Sequence, residues 1–201
     1  MFWDKVAPLY PFYTKYINGK VNKQFVEFVA SKINEDDIIL ECACGSGMIT
    51  KPVARKCKKI TATDYSSNML NQTRKNCKEF SNITFEQANF LDLKYSDESF
   101  DKVIAGNVIH LVDNRNKALS ELLRVCKTGG YLIIPTYINK HDKSNAESLL
   151  KFLSSIGINF KEQFTKQTYP EFFESNGLTN GEYKYIDGML PSAIAVIKKV
   201  E

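Results

Sequence analysis

The chain has 201 residues, 43% of them hydrophobic, and a formal net charge of +4. That length and apolar content suit one compact domain with a sizeable core, and exclude a disordered tail or a disulfide-stapled mini-protein. No stretch approaches the apolar run that a membrane span needs, and the lysines are dispersed with no arginine-rich block, so a solvated surface is expected, not a nucleic-acid groove.

The front of the chain, Met1-Phe2-Trp3-Asp4-Lys5, has no basic segment followed by an apolar one, so the expected location is the cytoplasm. Phe25, Val26, Phe28 and Val29 recur at helical spacing within Val21–Lys32. Ile38–Leu40 then reads as a strand entering a glycine-containing turn, followed by a helix over Thr50–Lys56. Ile60–Thr63 is a second strand. Ser66 stands where it can cap a helix whose apolar face carries Met69, Leu70, Thr73 and Cys77. Ile83–Glu86 and Lys102–Ala105 are the third and fourth strands.

Asn114–Cys126 puts Ala118, Leu119, Leu122 and Leu123 on one helical face. Lys127 and Gly129-Gly130 read as its basic last turn and stop, before a fifth strand at Tyr131–Pro135. Beyond it, Ser144–Glu147 and Thr168–Glu171 are capping boxes opening helices to about Ser155 and to Ser175. Gly181–Ile186 and Ala193–Val200 close the chain as two antiparallel strands.

Apolar strands separated by helices predict an α/β fold. The expected fold is one doubly wound, mostly parallel seven-stranded sheet with its last strand antiparallel. Residues 1–34 form a helical cap, 35–136 the ligand-binding core, 137–177 a helical insert and 178–201 the final strand pair. The five cysteines form no C-x-x-C, and His110 and His141 lie far from Cys42 and Cys44, so reduced thiols are expected and no metal site.

The most informative stretch is Glu41-Cys42-Ala43-Cys44-Gly45-Ser46-Gly47, an acidic residue followed by small residues at alternate positions, between a strand and a helix. Small residues let backbone approach a ligand, and a helix N-terminus offers free N–H groups. A dinucleotide fingerprint would need Gly or Ala at Thr50, which counts against a nicotinamide-dependent reductase. The acidic-x-small-x-Gly-x-Gly spacing resembles the first motif of class I S-adenosylmethionine-dependent methyltransferases, D/E-x-G-x-G-x-G. Ala43 replaces its first glycine. The change would cost on the order of 1 kcal/mol if that position needed φ > 0, and it is expected to be harmless.

The resemblance continues in order. Asp64 ends the second strand, and the family likeness implies that it accepts from both ribose hydroxyls; a helix-capping role is its plainer alternative. Phe85–Leu93 is similar to the family's G-D-A stretch with Asn89 in the Asp position, which implies adenine contacts from Asn89 and the Phe90 N–H. Gly106–Leu111 is similar to its N-V-L-H segment, implying that backbone near Asn107 receives the cofactor's amino group. The opening Asp4–Tyr10 resembles that of the ubiquinone/menaquinone-biosynthesis-like branch, which implies Tyr10 as a lid. Trp3, Phe12, Tyr13 and Tyr16 are expected as core or pocket wall.

The implied cofactor set is therefore Tyr10, Glu41, Ala43, Cys44, Gly45, Gly47, Asp64, Tyr65, Met69, Asn89, Phe90 and Asn107, holding S-adenosylmethionine and its product S-adenosylhomocysteine. His110 is the candidate general base, with ordinary packing as its alternative, and Tyr137 is expected to face the acceptor. The insert from Ile138 to Asn176, with Leu149, Leu150, Phe152, Leu153, Phe160, Phe164, Phe172 and Phe173, is expected to cover a small, partly apolar metabolite. A methyltransferase acting on RNA or protein is the alternative.

Overall fold

The structure is a computed structural model that describes residues 3–4, 7, 18–139, 163–188 and 190–200. In chain order these form α1 (Gly19–Ser31), β1 (Ile38–Cys42), α2 (Thr50–Ala54), β2 (Lys59–Asp64), α3 (Ser67–Asn76), β3 (Ile83–Gln87) and β4 (Phe100–Ala105). A short 3₁₀ turn (Ile109–Leu111), α4 (Arg115–Val125), β5 (Cys126–Tyr137), α5 (Thr168–Glu174), β6 (Gly181–Ile186) and β7 (Ser192–Lys198) follow. The seven strands make one sheet in the order β3-β2-β1-β4-β5-β7-β6. The first five are parallel, and β7 runs antiparallel between β5 and β6. The order reverses at β1, and that reversal opens a crevice at the carboxyl ends of β1 and β4.

Alternation along each strand divides the core in two. Leu40, Val103 and Leu132 share one face with Leu119 and Leu122 of α4 and with Tyr169 and Phe173 of α5. Ile39, Ile104 and Ile133 share the other with Val21, Phe25 and Val29 of α1 and Val53 of α2. Leu119 and Leu122 are at most 1% exposed, and side chains buried that fully contribute about 1.5–3 kcal/mol each. Among the described residues no helix is long and apolar enough to cross a membrane. All five cysteines are free and buried.

Three local expectations are corrected. Gly129-Gly130 does not end α4. The helix stops at Val125, and the glycines lie inside β5, at a break in the β4–β5 register between Phe100 and Lys102. Gly129 has φ +80°, and a Cβ on Gly130 would come within 2.6 Å of the Asp101 carbonyl. The capping of α5 is also displaced. The Thr165 hydroxyl, not that of Thr168, accepts from the N–H groups of Gln167 and Thr168, at 3.2 and 3.0 Å. Finally, Phe164 and Phe173 are core residues at 3% and 0% exposure, joined edge-on to Tyr169, and not a lid. The Tyr169 hydroxyl donates to the Ile134 carbonyl. The helix expected at Ser144–Ser155, and Leu149, Leu150, Phe152, Leu153 and Phe160, lie outside the described residues.

Ionic contacts fasten the amino ends of the central strands. Lys102, 5% exposed, donates to Asp37 Oδ2 at 2.5 Å, and that oxygen also accepts from the Asn34 N–H. Asp101 accepts from the Ile38 N–H on one oxygen and from Lys127 Nζ on the other. Removing one member of a buried pair strands the other's charge. Lys102→Ala is therefore expected to lower unfolding free energy by about 3–5 kcal/mol, measured by urea denaturation. The Asp37→Ala/Lys102→Ala double variant should lose clearly less than the two single losses added. Additive losses would show that the pair contributes nothing as a pair.

Candidate active site

Where β1 ends, the backbone turns left-handed three times within five residues: Ala43 at φ +55°, Gly45 at +57° and Gly47 at +86°. Ala43 thus does need positive φ, and the expectation that its substitution is harmless is corrected. A side chain in that conformation costs on the order of 1 kcal/mol. The turn is held from α3. Thr73 Oγ1 donates to the Gly45 carbonyl at 2.6 Å and Asn76 Nδ2 to the Ser46 carbonyl at 2.9 Å. A Cβ on Gly47 would meet Thr73 Cγ2 at 3.0 Å and Cys77 Sγ at 3.2 Å, so a side chain there would press on α3 as well as sit at a strained φ. Thr73 was legible only as part of the helix's apolar face, and Asn76 gave no signal.

This turn forms one wall of a cavity of about 390 Å³, within the range of small-molecule sites. Ala43, Gly45, Asp64, Tyr65, Met69, Asn89, Phe90 and Asn107 line it, so eight expected residues come together, joined by Trp3, Ala88, Leu91, Gly106, Val108, Leu111 and Val112. The apolar members after β4 were not foreseen as wall. They belong to the chain entering and leaving the 3₁₀ turn, and no side-chain period marks so short an element.

Asp64 is 8% exposed. Oδ2 accepts from the Gly45 N–H and Oδ1 from the Ser66 N–H, both at 2.9 Å. Each oxygen keeps a second lone pair, and an acceptor-only group of that kind suits a vicinal diol. Burial raises its carboxyl above the ordinary value although backbone N–H groups oppose it. The side-chain cap of α3 is Ser66, whose hydroxyl accepts from the Met69 N–H. Nearby, Asn89 Oδ1 accepts from the Leu91 N–H at 3.0 Å, which orients its amide. Asn107, at φ +54°, donates its N–H to the Pro135 carbonyl.

Glu41, Cys44 and Gly47 stand behind the lining. Glu41 is 1% exposed, and its Oε2 has no hydrogen-bond partner among the described residues. Burial drives its carboxyl up to about 8, the Asp64 charge reinforcing the shift and Thr50 opposing it. Cys44 Sγ lies 3.6 Å from Thr73 Oγ1. Tyr10 lies outside the described residues. Tyr137 does not line the cavity, and its ring centroid is 6.1 Å from that of His110.

His110 is also off the lining. It is 2% exposed, its Nδ1 is 2.8 Å from Thr136 Oγ1, and burial lowers its pKa to about 3. The expectation of a near-neutral base beside the ligand is corrected, because the ring sits in the core, where the charged form is not solvated.

Two pH measurements follow. The Glu41 carboxyl binds its proton more tightly folded than unfolded, so its contribution is complete below the unfolded value near 4.5 and is lost as pH rises through about 8. Wild-type unfolding free energy should therefore fall between about pH 5 and pH 8 relative to Glu41→Gln. Parallel curves would mean that the carboxyl is solvated. The His110 imidazole resonances should show no titration from pH 5 to 8 by NMR; a midpoint in that window would restore the base.

Residues 40–134 match the family model described as a methyltransferase domain. The chain is 36% identical over 96 residues to a demethylmenaquinone methyltransferase of Tropheryma whipplei, covering 48% of this chain and 40% of that one. It is 33% identical over 137 residues to a ubiquinone/menaquinone biosynthesis C-methyltransferase of Rickettsia bellii, covering 64% and 55%. The chain spans about half the length of the curated relatives it matches. A SAM-dependent methyltransferase of Thermotoga maritima superposes with a TM-score of 0.74 at 18% identity, over 98% of this chain and 99% of that one. The magnesium protoporphyrin IX methyltransferase of Synechocystis, solved with bound SAH, gives 0.65 at 16% identity, over 90% and 82%. In its motifs, its strand order and these likenesses, the chain resembles the class I, Rossmann-like SAM-dependent methyltransferases, and its matched segment is similar to enzymes of the ubiquinone/menaquinone-biosynthesis-like branch.

Proposed function

We propose that this chain binds S-adenosylmethionine in the cavity at the carboxyl ends of β1, β2 and β4, and methylates a small, partly apolar metabolite. The single observation that carries the reading is the meeting of the left-handed turn, the Asp64 carboxylate and the Asn89 amide around one cavity. In this reading Asp64 accepts from the two ribose hydroxyls. Asn89 and the Phe90 N–H meet the adenine edge, with Tyr65 and Met69 beside them. Backbone near Asn107 receives the cofactor's amino group.

The bound cofactor supplies a methyl group already activated on a sulfonium. What the chain contributes is orientation and exclusion of water. Leu91, Val108, Leu111 and Val112 form an apolar wall, which favours an acceptor with an apolar face and keeps the site dry. Holding two reactants at near-attack distance is worth roughly 7–11 kcal/mol. The relatives named for demethylmenaquinone and for ubiquinone/menaquinone C-methylation support an acceptor of that class.

Asp64→Ala is expected to weaken binding of S-adenosylhomocysteine by about 1.5–3 kcal/mol, roughly ten- to hundredfold, measured by titration calorimetry with NADH as the comparison ligand. Unchanged affinity in the variant would remove Asp64 from the site. Uptake of NADH in place of S-adenosylhomocysteine would overturn the whole reading.

A further inference from the structure

Trp3 lines the cavity, although some sixty residues of chain separate it from the Asp64–Met69 segment that lines the same space. The neighbouring residue shows how it is held there. Asp4 Oδ1 accepts from the Ser66 hydroxyl at 2.5 Å and from the Asn68 N–H at 3.5 Å, while Asn68 Nδ2 donates to the Asp4 carbonyl at 3.1 Å. One turn further on, the Ala7 N–H donates to the Trp3 carbonyl. A carboxylate at the first turn of a ten-residue helix is also favoured by the helix dipole.

Ser66 is the junction. Its hydroxyl donates to Asp4 and accepts from the Met69 N–H, and its own N–H donates to Asp64 Oδ1. A hydroxyl has one proton to give. Committed to Asp4, it is withheld from Asp64, whose remaining lone pairs stay available. The Asp4 charge also adds to the raised carboxyl of Asp64, so hydrogen-bond donors from a ligand are the more welcome there.

Resting on the cofactor reading above, we propose that Asp4 is a positioning residue: through Ser66 it fastens Trp3 against the cavity and keeps the Asp64 carboxylate free to accept from a bound nucleoside. The opening motif that begins at Asp4 implied a role only for Tyr10, and the partners of Asp4 are 62 and 64 residues away. The latch makes ligand affinity depend on a residue that touches no ligand.

Trp3 is the only tryptophan in the chain, so its emission reports on the latch directly. Three proteins are compared: wild type, Asp4→Ala and Asp4→Asn, whose amide oxygen can still accept from Ser66. Acrylamide quenching of Trp3 without ligand should rise in Asp4→Ala and stay at the wild-type level in Asp4→Asn. Calorimetry should show S-adenosylhomocysteine binding weakened roughly three- to tenfold in Asp4→Ala and largely restored in Asp4→Asn. Ligand should shield Trp3 in the wild type more than in Asp4→Ala. Equal quenching in all three ligand-free proteins would overturn the latch whatever the ligand does. So would equal affinity of wild type and Asp4→Ala. A wild-type chain that takes up no S-adenosylhomocysteine, with the quenching difference intact, would instead sink the cofactor reading and leave Asp4 as a fastening of the chain's front alone.

Discussion

The turn after β1 follows a left-handed path because a neighbouring helix holds its carbonyls, and the cavity is a consequence of that path. Gly45 and Ser46 would otherwise present carbonyl oxygens in whatever direction the loop allowed. Thr73 and Asn76, three residues apart and therefore on one side of α3, take those two oxygens. With them tied back, the Gly45 N–H faces the Asp64 carboxylate. The same helix is capped by Ser66, which also donates to that carboxylate. Turn, helix and carboxylate are therefore one hydrogen-bonded unit.

Charge is distributed along the sheet to match. At the amino ends of β1 and β4, Asp37 and Asp101 are answered by Lys102 and Lys127. At the carboxyl ends, Glu41 and Asp64 are buried with no lysine or arginine partner among the described residues, and each has a raised carboxyl pKa. One end of the sheet is thus neutralised and fixed. The other retains unspent acceptor capacity, the condition for a ligand rich in hydroxyl and amino donors.

Much of this was legible in the sequence. The strands could be read because a doubly covered sheet requires near-continuous apolar runs, and Ile38–Leu40 and Lys102–Ala105 contain little else. Asp64 could be picked out because it ends the second strand where the family likeness implies a ribose acceptor, and it does line the cavity. The misreadings share a cause: identical residues serve different geometries. Gly129-Gly130 is as good a helix stop as it is a kink in a strand, and only the close approach of Asp101 decides. Ala43 gives no hint of its φ. His110 is next to the crevice in sequence, yet a 3₁₀ turn sends successive side chains in different directions, and its ring went inward to Thr136. Thr73 could be read only as part of an apolar helix face, and Asn76 carried no signal because a polar residue on a helix ordinarily means solvent.

Pro135 stands inside β5, a strand paired on both sides. In an extended strand a residue's N–H and C=O lie on the same side, and the Pro135 carbonyl, receiving the Asn107 N–H, faces β4. The missing amide hydrogen is therefore absent from that side as well. A proline inside a central strand is normally excluded; here it falls one row beyond the end of β4 at Ala105. The pairing thus stops just where β5 turns to an imino acid, which has no amide hydrogen with which to prolong the ladder toward β4.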